Sequence, residues 1–112
     1  MEFNGEMMRG VVDPIVLRFV GERAMYGYEI IKIVNERTNG AFEWKEGTLY
    51  PCLHRLESDG LIKGEWREAE SGKKRKYYSL TRKGGAVLKA KATEWSTFAH
   101  AVNAVLIQGA TT

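Results

Sequence analysis

Gly47-Thr48-Leu49-Tyr50-Pro51-Cys52-Leu53-His54-Arg55-Leu56-Glu57, running on to Gly60, decides how the rest of the chain is read. Leu49, Cys52, Leu53 and Leu56 recur at helical spacing and line one side, so a helix introduced by Thr48 and stopped by Gly60 is expected. Pro51 is expected in its first turn, where a missing N–H leaves nothing unsatisfied. Tyr50, Pro51, His54, Arg55 and Ser58 are then left outward or flanking.

Downstream, Ile62 to Arg67 alternates, with Ile62, Gly64 and Trp66 on one face and Lys63, Glu65 and Arg67 on the other, which describes a half-buried strand. Glu70-Ser71-Gly72-Lys73 supplies turn chemistry, and Arg75 to Leu80 is rich in β-formers, so the two runs form a hairpin with a basic tip. One of Tyr77 and Tyr78 is expected to pack inward and the other outward. Thr81 caps a final helix reaching about Ile107. Gly84-Gly85 weakens its first turns by about 1 kcal/mol per glycine, so fraying or a bend is expected there.

Upstream, Ile15, Val16, Phe19 and Val20 mark a first helix that ends near Gly21, with Asp13 as N-cap and Pro14 in the first turn. Met7, Met8, Val11 and Val12 are spaced to extend it, with Pro14 as a kink, and both starts stay open. Ile30, Ile31, Ile33 and Val34 define a second helix between Tyr26 and Thr38, closed by Asn39-Gly40. Ala41 to Lys45 reads as an added extended piece. The fold class expected is mainly α with a small β-hairpin: a winged helix-turn-helix unit over residues 1–81, and a long C-terminal dimerisation helix over 82–112.

Charge agrees with that order. The chain of 112 residues has a formal net charge of +3, but residues 61–85 hold eight Lys/Arg against three Glu, leaving the remainder net negative. A cationic patch beside an exposed helix face fits double-stranded DNA, the third helix entering the major groove and the hairpin reaching backbone. The candidate DNA-binding residues are Thr48, Tyr50, Pro51, His54 and Arg55 on that helix, and Lys73, Lys74, Arg75 and Lys76 on the hairpin. Arg55 has the geometry for guanine O6 and N7, whereas His54, Thr48 and Tyr50 suit phosphates or base edges.

Other classes fit less well. There is no glycine-rich phosphate loop, zinc-protease helix motif or nucleophile elbow, and only two histidines, so no catalysis and no cofactor are expected. Cys52 and His54 are two apart on a helix and point about 200° apart, which does not suit one metal ion. Cys52, the single cysteine, excludes an intramolecular disulfide. The apolar stretch Val11 to Val20 is broken by Asp13, Pro14 and Arg18, so no membrane span or signal segment is expected and the cytoplasm is the expected compartment. The rival reading is a winged-helix protein–protein interaction module without specific DNA binding.

In the last helix, Leu88, Ala92, Trp95, Ala99, Val102 and Leu106 are 4, 3, 4, 3 and 4 apart, a heptad seam that Phe98 and Val105 widen. A second copy of the chain is the expected cover, making a homodimer on a pseudo-palindromic operator. Packing against the first helix of the same chain is the alternative.

The chain resembles the PadR family of transcriptional regulators. The resemblance lies in Tyr26-Gly27-Tyr28-Glu29-Ile30-Ile31, in the Gly47 to Glu57 string with Gly60-Leu61-Ile62, and in Arg75-Lys76-Tyr77-Tyr78-Ser79-Leu80-Thr81 with Gly84. It implies a homodimeric repressor that uses the third helix and wing on DNA and is released by a small-molecule inducer or another signal. A single terminal helix is similar to the short, multidrug-responsive members. Departures are Pro14, Cys52 and the doubled Gly84-Gly85. With that resemblance, Trp95, flanked by the small Ala92 and Ala99, becomes a candidate platform for a planar aromatic compound at the dimer axis, with Phe98, Met7 and Met8 as secondary ligand-binding candidates.

Overall fold

Val12, Val16, Leu17, Phe19 and Val20 of one helix meet Leu49, Cys52, Leu53 and Leu56 of another, and Ile30 and Val34 of a third close the cluster. A computed structural model describes Phe3 and residues 5–108 in this arrangement. The order is α1 (Gly5–Arg9), α2 (Val12–Glu22), β1 (Met25–Tyr26), α3 (Gly27–Arg37), α4 (Glu46–Ser58), β2 (Ile62–Glu68), β3 (Lys74–Leu80) and α5 (Arg82–Asn103), followed by a π-helical turn at Ala104–Gln108. This is the expected mainly helical winged architecture. The outer ends of the two expected units, residues 1, 2, 4 and 109–112, lie outside the described residues.

The start of the chain corrects both sequence alternatives. Residues before Pro14 do not prolong one kinked helix, because the chain breaks between α1 and α2 with a turn from Val11 N to Met8 O at 3.0 Å. Val11, not Asp13, is the N-cap of α2, and Pro14 falls in the first turn, where it removes no intrahelical bond. Asp13 is thereby free to turn its carboxylate toward α4.

The sheet has three strands, in the order β1-β3-β2, all antiparallel. Its central strand pairs Tyr78 with Met25 on one side and with Gly64 on the other. The two residues of β1 are too few to show alternation, so the sequence reading missed them. Ala41 to Lys45, expected to be extended, is not a strand. It is a loop held by Thr38 Oγ1, which accepts from Phe42 N at 3.0 Å, and by the buried Trp44.

α4 begins at Glu46, two residues before Thr48, which moves Pro51 from the first turn to the second. The carbonyl of Gly47, four residues back, loses its partner there, but Gly47 is exposed and open to solvent. At the other end Leu61 N bonds Leu56 O at 2.9 Å and Gly60 N bonds Glu57 O at 3.0 Å, with Gly60 at φ 75°. This left-handed stop throws the chain directly into β2.

Thr81 caps α5 as expected, its Oγ1 accepting from Gly84 N at 3.0 Å and donating to Gly60 O at 2.7 Å. Fraying at Gly84-Gly85 is not what the structure has. Gly84 is buried, and a Cβ built there would stand 1.9 Å from the Leu61 carbonyl oxygen, so the glycine lets α5 close onto the α4–β2 corner. Beyond Leu88 the helix leaves the core, and the molecule measures 61 × 30 × 21 Å.

Candidate nucleic-acid interface

The outer face of α4 is set by its buried one. With Leu49, Cys52, Leu53 and Leu56 inward, the side chains of Thr48, Pro51, His54 and Ser58 stand in solvent. Ser58, one turn beyond His54, completes this exposed row and was not singled out as a site residue, although its spacing puts it there.

Two of the expected readers are engaged elsewhere. Tyr50 is exposed but its ring lies over the start of α3, so that a Cβ on Gly27 would be 2.6 Å from its hydroxyl. Arg55 Nη2 donates to Asp13 Oδ1 at 2.5 Å, and this hydrogen bond holds the guanidinium above its usual pKa. Cys52 Sγ donates to the same oxygen at 3.1 Å. The thiol is buried, and desolvation first, then the bond to Asp13, pushes it far above the ordinary cysteine range. The fork expected to face guanine therefore faces a carboxylate.

Hairpin pairing sorts the four cations of the wing onto different sides. Arg75 lies with its guanidinium 4.5 Å from the centre of the Tyr26 ring, and its cross-strand partner Arg67 sits 4.8 Å from Tyr77. Tyr26 and Tyr77 meet edge to face at 5.3 Å. Lys76 points the other way: its Nζ bonds Glu57 Oε1 at 2.9 Å and lies 5.5 Å from the Tyr78 ring. That bond raises the Lys76 pKa above the lysine norm and ties the wing to α4. Gly64 makes room for it, since a Cβ there would be 2.3 Å from Lys76 Cε.

Lys76 is thus a brace, whereas Lys73 and Lys74 at the tip are exposed with no side-chain ion pair among the described residues. Tyr78 is the inward tyrosine and Tyr77 the half-exposed one. Trp66 departs from expectation. It shares a face with Ile62 and Gly64 yet is 66% exposed, because the hairpin has by then run past the core.

α1, α2 and α5 line a groove of about 1150 Å³. Met7, Met8, Trp95 and Phe98, the four candidate ligand residues, all line it, together with Pro14 and Phe19. Trp95 and Phe98 have ring centres 6.0 Å apart, and Met8 Sδ accepts from Trp44 Nε1 at 3.2 Å. Along the heptad seam, Leu88 packs on the core and Ala99 and Val102 are half-buried, but Ala92, Trp95 and Leu106 are exposed. Among the described residues no group of three His, Cys, Asp or Glu side chains is placed to hold a metal, and no helix is long and apolar enough to cross a membrane.

Comparison with known proteins gives a consistent picture. The profile of the Transcriptional regulator PadR-like family matches residues 16–90. A transcriptional regulator of Mycobacterium tuberculosis is 34% identical over 83 residues, covering 74% of either chain. Among solved structures, a transcriptional regulator from Clostridium thermocellum superposes with a TM-score of 0.84 at 35% identity, over 91% of this chain and 99% of that one. A PadR-like transcriptional regulator from Bacillus cereus gives 0.80 at 31% identity, over 92% and 98%.

Proposed function

Because the chain belongs to the PadR-like family of transcriptional regulators, we propose that it works as a ligand-responsive, homodimeric repressor that grips operator DNA with α4 and the hairpin tip. Its membership of a family of regulators agrees with the expectation of no catalysis. The observation that carries the proposal is the Lys76–Glu57 bridge, which locks the wing to α4 while Pro51 and His54 on one side and Lys73 and Lys74 on the other stay free for a duplex. Thr48 and Ser58 extend the helical contact, and Tyr50, Arg55 and Arg75 support the surface from behind. Two copies joined along the α5 seam present two such surfaces, so the operator is a pseudo-palindrome with half-sites about one helical turn, or a multiple of it, apart. A planar aromatic compound seated near Trp95 and Phe98, with Met7 and Met8 adapting around it, alters the spacing of the two reading helices and releases the DNA.

Fluorescence anisotropy with the DNA upstream of its own gene, across a salt series, tests this. Tight binding to that fragment over unrelated DNA, with log K falling linearly in log salt, is the expected result. Equal indifference to all fragments at low ionic strength leaves the rival reading, a winged module that binds other proteins.

A further inference from the structure

Val11, the N-cap of α2, and Pro14, in its first turn, line the groove, while Asp13 between them in the chain faces α4. Asp13 Oδ1 accepts from both Arg55 Nη2, at 2.5 Å, and Cys52 Sγ, at 3.1 Å. These are the only side-chain hydrogen bonds between α2 and α4 among the described residues. The rest of that interface is apolar, formed by residues such as Val16, Leu17 and Val20 against Leu49, Leu53 and Leu56. Apolar contact is non-directional and tolerates small rotations, whereas two donors three residues apart on α4 sharing one oxygen do not. Asp13 is therefore the directional contact by which α2 sets the rotation of α4 about its axis. A single helical turn thus carries the wall of the groove and the polar anchor of the reading helix.

We propose that Asp13 is a positioning residue through which occupancy of the groove is transmitted to α4: a molecule pressed against Val11 and Pro14 shifts this turn, parts Asp13 from Arg55 and Cys52, and lets α4 rotate off its operator register. The inference rests on the DNA-binding and groove-binding reading above. Its physical content is a differential affinity. The groove ligand binds better to the state in which the Asp13 contacts are broken, and by linkage operator DNA binds better to the state in which they are made. Arg55 serves here as the partner of Asp13 and not as a reader of bases.

The test uses the full chain, its operator fragment and the aromatic probe 8-anilinonaphthalene-1-sulfonate. Wild type is expected to lose about tenfold or more in operator affinity when the probe saturates the groove. Asp13→Asn and Arg55→Gln are each expected to bind the probe more tightly than wild type does, to bind operator more weakly, and to show less than about a twofold further effect of the probe. The double variant is expected to be no worse than either single one, because both disrupt the same charge-assisted pair. A merely structural contact lowers the unfolding midpoint but leaves the probe's effect on operator affinity at its wild-type factor, which overturns the proposal. So does additivity of the two substitutions, or tighter operator binding by Asp13→Asn. Arg55 is exposed, so Arg55→Gln carries the test even where Asp13→Asn does not fold. Absence of operator binding by wild type defeats the DNA reading itself, and operator binding untouched by bound probe defeats the groove reading and this proposal while leaving DNA binding intact.

Discussion

Gly84 and Gly85 are neighbours in the chain and opposites in surroundings. A Cβ on Gly84 meets the Leu61 carbonyl oxygen at 1.9 Å and Leu80 Cδ1 at 2.8 Å, whereas one on Gly85 meets only Leu80 Cδ2, at 3.8 Å. Gly84→Ala forces α5 away from the corner and is expected to cost about 2–4 kcal/mol in urea unfolding. Gly85→Ala, in the same helix without the clash, is expected to gain about 0.5–1 kcal/mol. Cys52 gives a second prediction at this scale. Its folded thiol holds its proton well above the ordinary value of 9.0, first through burial and then through Asp13. Above that pH the unfolded chain releases a proton that the folded chain keeps, so the stability present below pH 9.0 declines as pH rises. Between about pH 9 and pH 10, before Tyr78 begins to add the same trend, unfolding free energy is expected to fall by up to about 1.4 kcal/mol per pH unit, and Cys52→Ala to flatten that slope.

Among the elements, the hairpin divides its cations by pairing register. Lys73 and Lys74 at the tip form no side-chain ion pair among the described residues, while Lys76 crosses over Gly64 to Glu57 on α4. Replacing Lys73 and Lys74 together by Ala is expected to reduce the magnitude of the salt slope of operator binding by about 0.9 for each phosphate no longer neutralised. Lys76→Ala is expected to leave that slope unchanged and to weaken operator binding by loosening the wing on α4. A salt series on the variants, run with wild type, separates the two roles. A wing that binds phosphate through Lys76 reverses the pattern.

For the whole molecule, the feature that dominates is an α5 that outgrows its own domain. Trp95, Phe98, Val105, Leu106 and Ile107 are all more than half exposed along a body 61 Å in its longest dimension. Covering a large apolar side chain is worth about 1.5–3 kcal/mol, so a handful of them supplies the drive for association. Sedimentation is expected to give a dimer at micromolar concentration, and Val102→Asp with Leu106→Asp to give a folded monomer with an unchanged far-UV spectrum. A wild-type monomer under the same conditions rules the seam out as an interface.

Helical periodicity, the alternation around Ile62, the Thr81 cap and the Gly60 stop are local signals, and they were enough to place four of the five α-helices and the hairpin. Each is written in residues a few positions apart, where spacing alone decides which side is apolar. Only tertiary structure decided that α1 is separate, that Met25–Tyr26 joins the sheet and that Gly84 is a close-packed point rather than a weak one. The same holds for the site. Helical spacing put Arg55, and the basic run put Lys76, among the DNA-binding candidates, but Asp13 lies 42 residues from Arg55, and Glu57 lies 19 from Lys76. A charge's partner depends on how helices and strands are brought together in space, and no periodicity along the chain encodes that.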